Sequence, residues 1–196
     1  MEISVFNSVL ACCSLIVSSL LACKSLWEFI KAQKWKRLEF INTEIKSLFN
    51  DFNMKRAFTL LDYNEAYIST LKEEKLNHGI SESFYFDEAM LLSALRYHKE
   101  DVNPLEGFTH EEIIIRNILD DFFLRLGMVN RFLVSRLIKV DDVKPYIGYY
   151  IEIIANKDNN SQSKEIRHAI WRFIDKYGYS EVQDLCLRFG YEIKKV

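Results

Sequence analysis

The chain has 196 residues, 49% hydrophobic and 14% aromatic, which is ample for a packed core and far from the composition of a disordered segment. Its formal net charge of −2 excludes a basic nucleic-acid coat and a strongly acidic substrate funnel. Two prolines and six glycines are few for a β-rich domain, and of four cysteines Cys12, Cys13 and Cys23 share one apolar run, leaving only Cys186, so neither a disulfide framework nor a zinc site is expected.

From Ile3 to Cys23 there are twenty-one residues without a charge. As a helix they extend about 31 Å at 1.5 Å per residue, close to the hydrocarbon thickness of a bilayer. Glu2 precedes the run, whereas Lys24, Lys31, Lys34, Lys36 and Arg37 follow it, with Trp27 and Trp35 among them. The excess of cations after the span places that side in the cytoplasm, and the tryptophans suit the interface. Three alternatives fit the run less well. A cleaved signal peptide needs a basic start that Met1-Glu2 does not supply. A lipobox reading of Leu20-Leu21-Ala22-Cys23 meets the same objection, and the helical pattern continues past Cys23. A buried core helix of this length without charge is unusual for so small a domain.

Asn7, Ala11, Ser14, Ser18 and Ala22 recur at spacings of three and four, so they line one stripe of this helix. Small and hydroxylated residues in such a stripe let helices approach closely in lipid, and Asn7 can hydrogen-bond across them. The stripe is the candidate surface for a homo-oligomer, and a ring of such helices would present it to water as a pore.

Beyond the span, Leu38, Ile41, Ile45, Leu48 and Phe52 keep helical period. Helices are predicted over 55–69, with Ala57, Phe58, Leu60, Leu61 and Ile68 inward, and over 87–97, followed by a loop at Asn103, Pro104 and Gly107. Thr109-His110-Glu111-Glu112 reads as a capping box, and behind it Ile115, Leu119, Phe122, Leu126, Val129, Leu133 and Leu137 mark the core helix. Asp141-Asp142 starts a helix carrying Pro145, Tyr149, Tyr150 and Ile153; Asn156–Ser163 is a polar, exposed loop. Two short helices close the pattern, one ending at Gly178 and one at Gly190.

The chemistry-bearing motifs are sparse. There is no glycine-rich phosphate loop, GxSxG, CxxC or HExxH. Glu165 and His168 form one ExxH step, whereas a di-iron bundle needs two plus further glutamates, so no metal and no cofactor are expected. His110 with Glu111 and Glu112 sits at a helix start, where acidic residues complement the macrodipole. Asp120 and Asp121 beside Arg116 and Arg125 read as a solvated charge pattern. Trp35-Lys36-Arg37 fits phospholipid headgroups better than nucleic acid.

The strings Lys34-Trp35-Lys36-Arg37, Leu60-Leu61-Asp62-Tyr63-Asn64, Phe108-Thr109-His110-Glu111-Glu112 and Lys144-Pro145-Tyr146-Ile147-Gly148 resemble a bacterial group of short membrane-anchored helical proteins. The plan of one membrane helix plus a small helical domain is similar to the membrane-pore accessory protein of type VI-B CRISPR loci, which implies an oligomer that disturbs the membrane during phage infection. Helical RNases of the HEPN type carry Arg followed by His after four to six residues. Here Arg96 and His98 are too close and Arg167 and His168 are adjacent, which disfavours an RNase.

The sequence therefore predicts an all-α chain: an N-terminal transmembrane helix with its interfacial anchor over residues 1–30, followed by a compact cytosolic helical bundle domain over 31–196. The expected protein is a single-pass component of the bacterial inner membrane with a cytoplasmic C-terminal domain. It is expected to be non-enzymatic and to oligomerise through its first helix, with the lipid bilayer and a protein bound by the cytosolic domain as partners. The second resemblance implies a pore-type effector or accessory protein of antiphage defence. The alternative is a membrane-tethered hydrolase or nuclease using His110, His168 and nearby carboxylates.

Overall fold

The uncharged run and the residues after it contain neither proline nor glycine before Gly79, so neither residue breaks a helix that continues past the run. In the computed structural model, which describes residues 2–70, 83–98, 107–155 and 162–192 and side chains from Cys13 onward, α1 spans Glu2–Phe40. A π-helical stretch, Ile41–Ile45, and a short α2, Lys46–Phe49, follow it. A π turn takes more residues per turn than an α turn and so shifts the phase of the side chains that follow. That shift explains a departure from the predicted pattern after it: Ile45 and Phe49 are buried, while Leu48 is only half-buried; Leu38, before it, is exposed.

The chain divides into two compact units, Met1–Asn42 and Thr43–Val196. The first is the long apolar helix; the second is mostly helical. In the second, α3 (Phe52–Asp62) starts on Asp51, whose carboxylate accepts from the Asn53 N–H at 2.9 Å. The predicted helix over 55–69 stops at Asp62 and gives way to strand β1 (Ala66–Ser69), which pairs antiparallel with β2 (Ser83–Phe86) in the register Tyr67 to Tyr85 and Ile68 to Phe84. The β-branched and aromatic residues of both strands favour a pleated, half-buried ribbon. Ile68 and Phe86 supply its buried face and Tyr67 and Tyr85 its exposed one. This ribbon is the departure from an all-helical chain.

Asp87 caps α4 (Glu88–Ala94), accepting from the Met90 N–H at 2.8 Å. The helix ends three residues before the predicted Tyr97; of the loop predicted next, Asn103 and Pro104 lie outside the described residues. The central helix α5 (His110–Val134) buries Ile115, Ile118, Leu119, Phe122, Phe123, Leu126, Val129 and Leu133. It stops before Leu137, which is exposed, because the chain turns at Arg136 with φ of 59°, and Ile138 takes the buried position.

Helix α6 (Val140–Ala155) is started by Asp142, whose carboxylate accepts from the Lys139 N–H at 2.8 Å. Helix α7 (Lys164–Lys176) is capped by Ser163, and α8 (Ser180–Arg188) follows a turn in which Gly178 has φ of 75°; Gly190, at φ of 90°, follows α8. Both glycines lie in the left-handed region where a Cβ is costly, as their predicted role at helix ends requires. Helix α5 packs on α3, α4 and α8, and α7 packs on α4, α6 and α8. Of the predicted polar loop, residues 156–161 lie outside the described residues, and Gln162 is buried rather than exposed.

Candidate functional site

Among the described residues one helix is long and apolar enough, by length and composition, to cross a membrane, and its most apolar window is wholly exposed. Leu15 is 68% exposed, Leu20 66% and Leu21 60%. Ser14, Ser18 and Ala22 lie exposed along one line of α1; Asn7 and Ala11 belong to the same helix, with side chains outside the described residues. Lys24, Trp27, Lys31, Lys34, Trp35 and Lys36 are exposed, and Arg37 is half-buried. Lys24 lies 3.9 Å from Glu28 one turn on, and the Lys31 ammonium sits 5.2 Å from the centre of the Trp27 ring.

In the helical unit the candidate residues around Thr109 form a helix start, and those on α7 lie on its surface. The Thr109 hydroxyl accepts from the Glu112 N–H at 3.2 Å, and the Thr109 N–H donates to the Glu112 carboxylate at 2.9 Å, which completes the predicted capping box. Glu112 is also buried and lies 3.7 Å from the Arg96 guanidinium. His110 opens α5 exposed to solvent, and His168 and Glu165 are exposed on α7. Among the described residues no three histidines, cysteines or carboxylates converge as metal ligands would.

The predicted solvated charge pattern around Asp120 and Asp121 is instead a set of ties between helices. Arg125 bridges Asp121 at 3.0 Å and Asp51 at 3.2 Å, and also donates to the Leu48 carbonyl. Asp120 accepts from the Tyr179 hydroxyl at 2.5 Å. Burial, then the bond to that carboxylate, holds the Tyr179 phenol above its usual range, so it stays a donor.

One cluster escaped the sequence reading. The Arg116 guanidinium donates to the carbonyls of Ala94 and Arg96 at 2.5 and 3.0 Å and to the Tyr177 hydroxyl at 2.5 Å. It also lies over Phe108, its carbon 4.1 Å from the ring centre. An arginine only donates, so the Tyr177 oxygen accepts from it, and the same hydroxyl lies within hydrogen-bond reach of His98 Nδ1, 2.7 Å away. Arg116 thus serves the carbonyls at the end of α4 and a phenol, leaving it poorly placed to hold a substrate anion. Nothing in the sequence spacing marks it, because its partners lie on a different helix and in a turn sixty-one residues on.

No protein-family model, no curated protein and no solved structure matches this chain.

Proposed function

We propose that the chain is a single-pass membrane protein in which α1 crosses the cytoplasmic membrane and the helical unit acts on the cytoplasmic side as a non-enzymatic assembly module. The carrying observation is the uncharged run, exposed from Cys13 onward, that ends at Cys23 before a cluster of cations and tryptophans. Fully burying a Leu, Ile, Val or Phe side chain is worth about 1.5–3 kcal/mol, so a helix with this many exposed apolar side chains calls for a bilayer or a partner around it. A bilayer accounts for the length of the run and for its unequal flanks together.

Self-association through Ser14, Ser18 and Ala22, continued by Asn7 and Ala11, is the assembly step attached to this reading, since small side chains are what close helix packing in lipid requires. The engagement of Glu112, Asp120 and Arg116 in caps and ties supports an assembly role over catalysis. No described residue speaks for a pore or for antiphage defence.

The test is extraction and mass. The full chain is expected to remain in membranes washed with alkaline carbonate, and in detergent to show by light scattering a defined oligomer that becomes monomeric when residues up to Arg37 are removed. Release by carbonate would overturn the anchor; a monomeric full chain would overturn the assembly step.

A further inference from the structure

We infer that two copies of the helical unit pair through the outer face of α5, with the two helices antiparallel; the inference rests on the assembly of copies through α1. At 100° per residue and with Leu124 at zero, the buried Ile115, Leu119, Phe122, Leu126, Val129 and Leu133 fall between about 140° and 220°. The side turned away from the core is centred on zero, where a surface helix is ordinarily polar. Ile113, at about 340°, and Met128, at about 40°, share that side with Leu124. They are 45%, 42% and 61% exposed, so the fold of the unit leaves them uncovered.

The charges on this face select its occupant. Asp120, at about 320°, and Arg131, at about 340°, lie on one edge of it, on either side of Leu124 and Met128. One Asp120 oxygen accepts from the Tyr179 hydroxyl, and the other meets no donor among the described residues. Arg131 gives its Nε–H to Glu181 at 2.7 Å, but its side chain is 70% exposed and its Nη donors meet no acceptor among the described residues. On the opposite edge Asp121 is already paired with Arg125 at 3.0 Å. An acceptor and a donor of opposite charge therefore stand open on the same edge, with the apolar patch between them.

A second copy of the same face complements this pattern. A twofold axis perpendicular to α5 reverses the helix direction and sets each edge against the same edge of the second copy. With the axis level with Leu126, positions whose numbers sum to about 252 stand opposite each other. Leu124 then meets Met128, and Asp120 comes within about one residue of Arg131, twice over by symmetry. Parallel helices would instead set Asp120 against Asp120 and Arg131 against Arg131. The contact is small: about 27 Å from Ile113 to Arg131 and about 10 Å across, roughly 300 Å² on each copy, or about half of what a stable complex buries in total. Units freed of α1 therefore stay monomeric, and the pairing forms where α1 has gathered the copies to a millimolar local concentration.

The experiment uses the full chain in membranes, with Cys12, Cys13 and Cys23 changed to alanine; Cys186 is buried and stays. Two differently tagged copies, one L124C and the other M128C, are oxidised with copper phenanthroline. Their disulfide-linked dimer is expected to exceed that of I113C with itself at least about fivefold, because antiparallel helices hold the two Ile113 positions about 39 Å apart. R131E, which sets carboxylate against carboxylate, is expected to lower the yield about fivefold and R131K to keep it, and an unchanged yield in R131E would overturn the charge pairing. Light scattering of the same chains in detergent separates this inference from the reading it rests on. A defined oligomer in which L124C and M128C do not link would overturn the pairing and leave assembly through α1 standing. A monomeric full chain would overturn both. I113C linked to itself would show parallel helices, and L124C linked to a different protein in place of its own copy would assign the face to another partner; either result would overturn the inference.

Discussion

The side-chain amide of Gln162 donates to the backbone carbonyl of Leu61 at 2.6 Å, tying the approach to α7 to the last turn of α3. Gln162 is 4% exposed, and its backbone carbonyl accepts from the Arg167 guanidinium at 3.2 Å. Replacing it with alanine leaves the Leu61 oxygen buried without that donor. We expect Gln162→Ala to destabilise the helical unit by about 1–3 kcal/mol, read as a shift of the urea midpoint at constant slope. Gln162→Glu, which sets a carboxylate oxygen against the carbonyl, is expected to cost more; an unchanged midpoint in both variants would show that the tie contributes nothing.

Arg116 gathers three acceptors from two parts of the fold: the end of α4 and Tyr177 beyond α7. Hydrogen bonds from charged donors are worth about 1.5–3 kcal/mol, so Arg116→Ala is expected to lose an amount in that range. Arg116→Lys keeps the charge but not the planar fork and is expected to recover less than half of it. Tyr177→Phe removes one leg only and should cost about 1 kcal/mol. A double-mutant cycle between Arg116→Ala and Tyr177→Phe measures their coupling, and additive effects would contradict the contact.

Stability should fall at alkaline pH for an identifiable reason. Burial pushes the Cys186 thiol from 9.0 up to about 12, and burial together with Asp62 and Asp120 holds the Tyr150 and Tyr179 phenols above their ordinary 10.0. In each case the folded chain keeps a proton that the unfolded chain gives up at lower pH. The contribution is therefore complete below about pH 9 and is lost as pH rises toward 12, with a limiting slope of about 1.4 kcal/mol per pH unit for each group. Cys186→Ala is expected to remove the first part of that fall, before the phenols of the unfolded chain begin to titrate. Urea midpoints measured across this range check it; a variant that declines as steeply as the wild type from pH 9 would contradict it.

The elements that were legible in the sequence are those whose determinants lie within one turn. Thr109 and Glu112, three residues apart, announced the start of α5, and Gly178 and Gly190 announced two ends, because caps are local hydrogen-bonding and backbone events. The ribbon was not legible: Ile68 falls on the helical phase of Leu60 and Leu61, and what makes it a strand is Phe84, paired across an intervening stretch. Arg116, Arg125 and Gln162 read as solvent-facing for a similar reason. A polar residue spaced among apolar ones looks exposed until the carbonyl it serves is brought in from another helix. The π turn before α2 likewise moved burial from Leu48 to Phe49, a change of phase that a fixed period of 3.6 residues misses.

The reading of α1 as a span makes a prediction that depends on depth. Leu15 lies near the middle of the uncharged run, and Leu26 lies just past Lys24 among the cations; both are more than 60% exposed. An arginine at the centre of a membrane helix costs about 2.5–3.5 kcal/mol for insertion, whereas near the interface its long side chain reaches the headgroups. Leu15→Arg is therefore expected to lower the carbonate-resistant membrane fraction sharply, and Leu26→Arg to leave it close to wild type. Equal loss in both would instead fit a surface buried against protein, where depth has no meaning. The mass of the membrane-bound chain completes the comparison: a product lacking the residues before Cys23 would reassign the run to a processed leader, and the intact mass with a depth-dependent loss is the signature of a retained span.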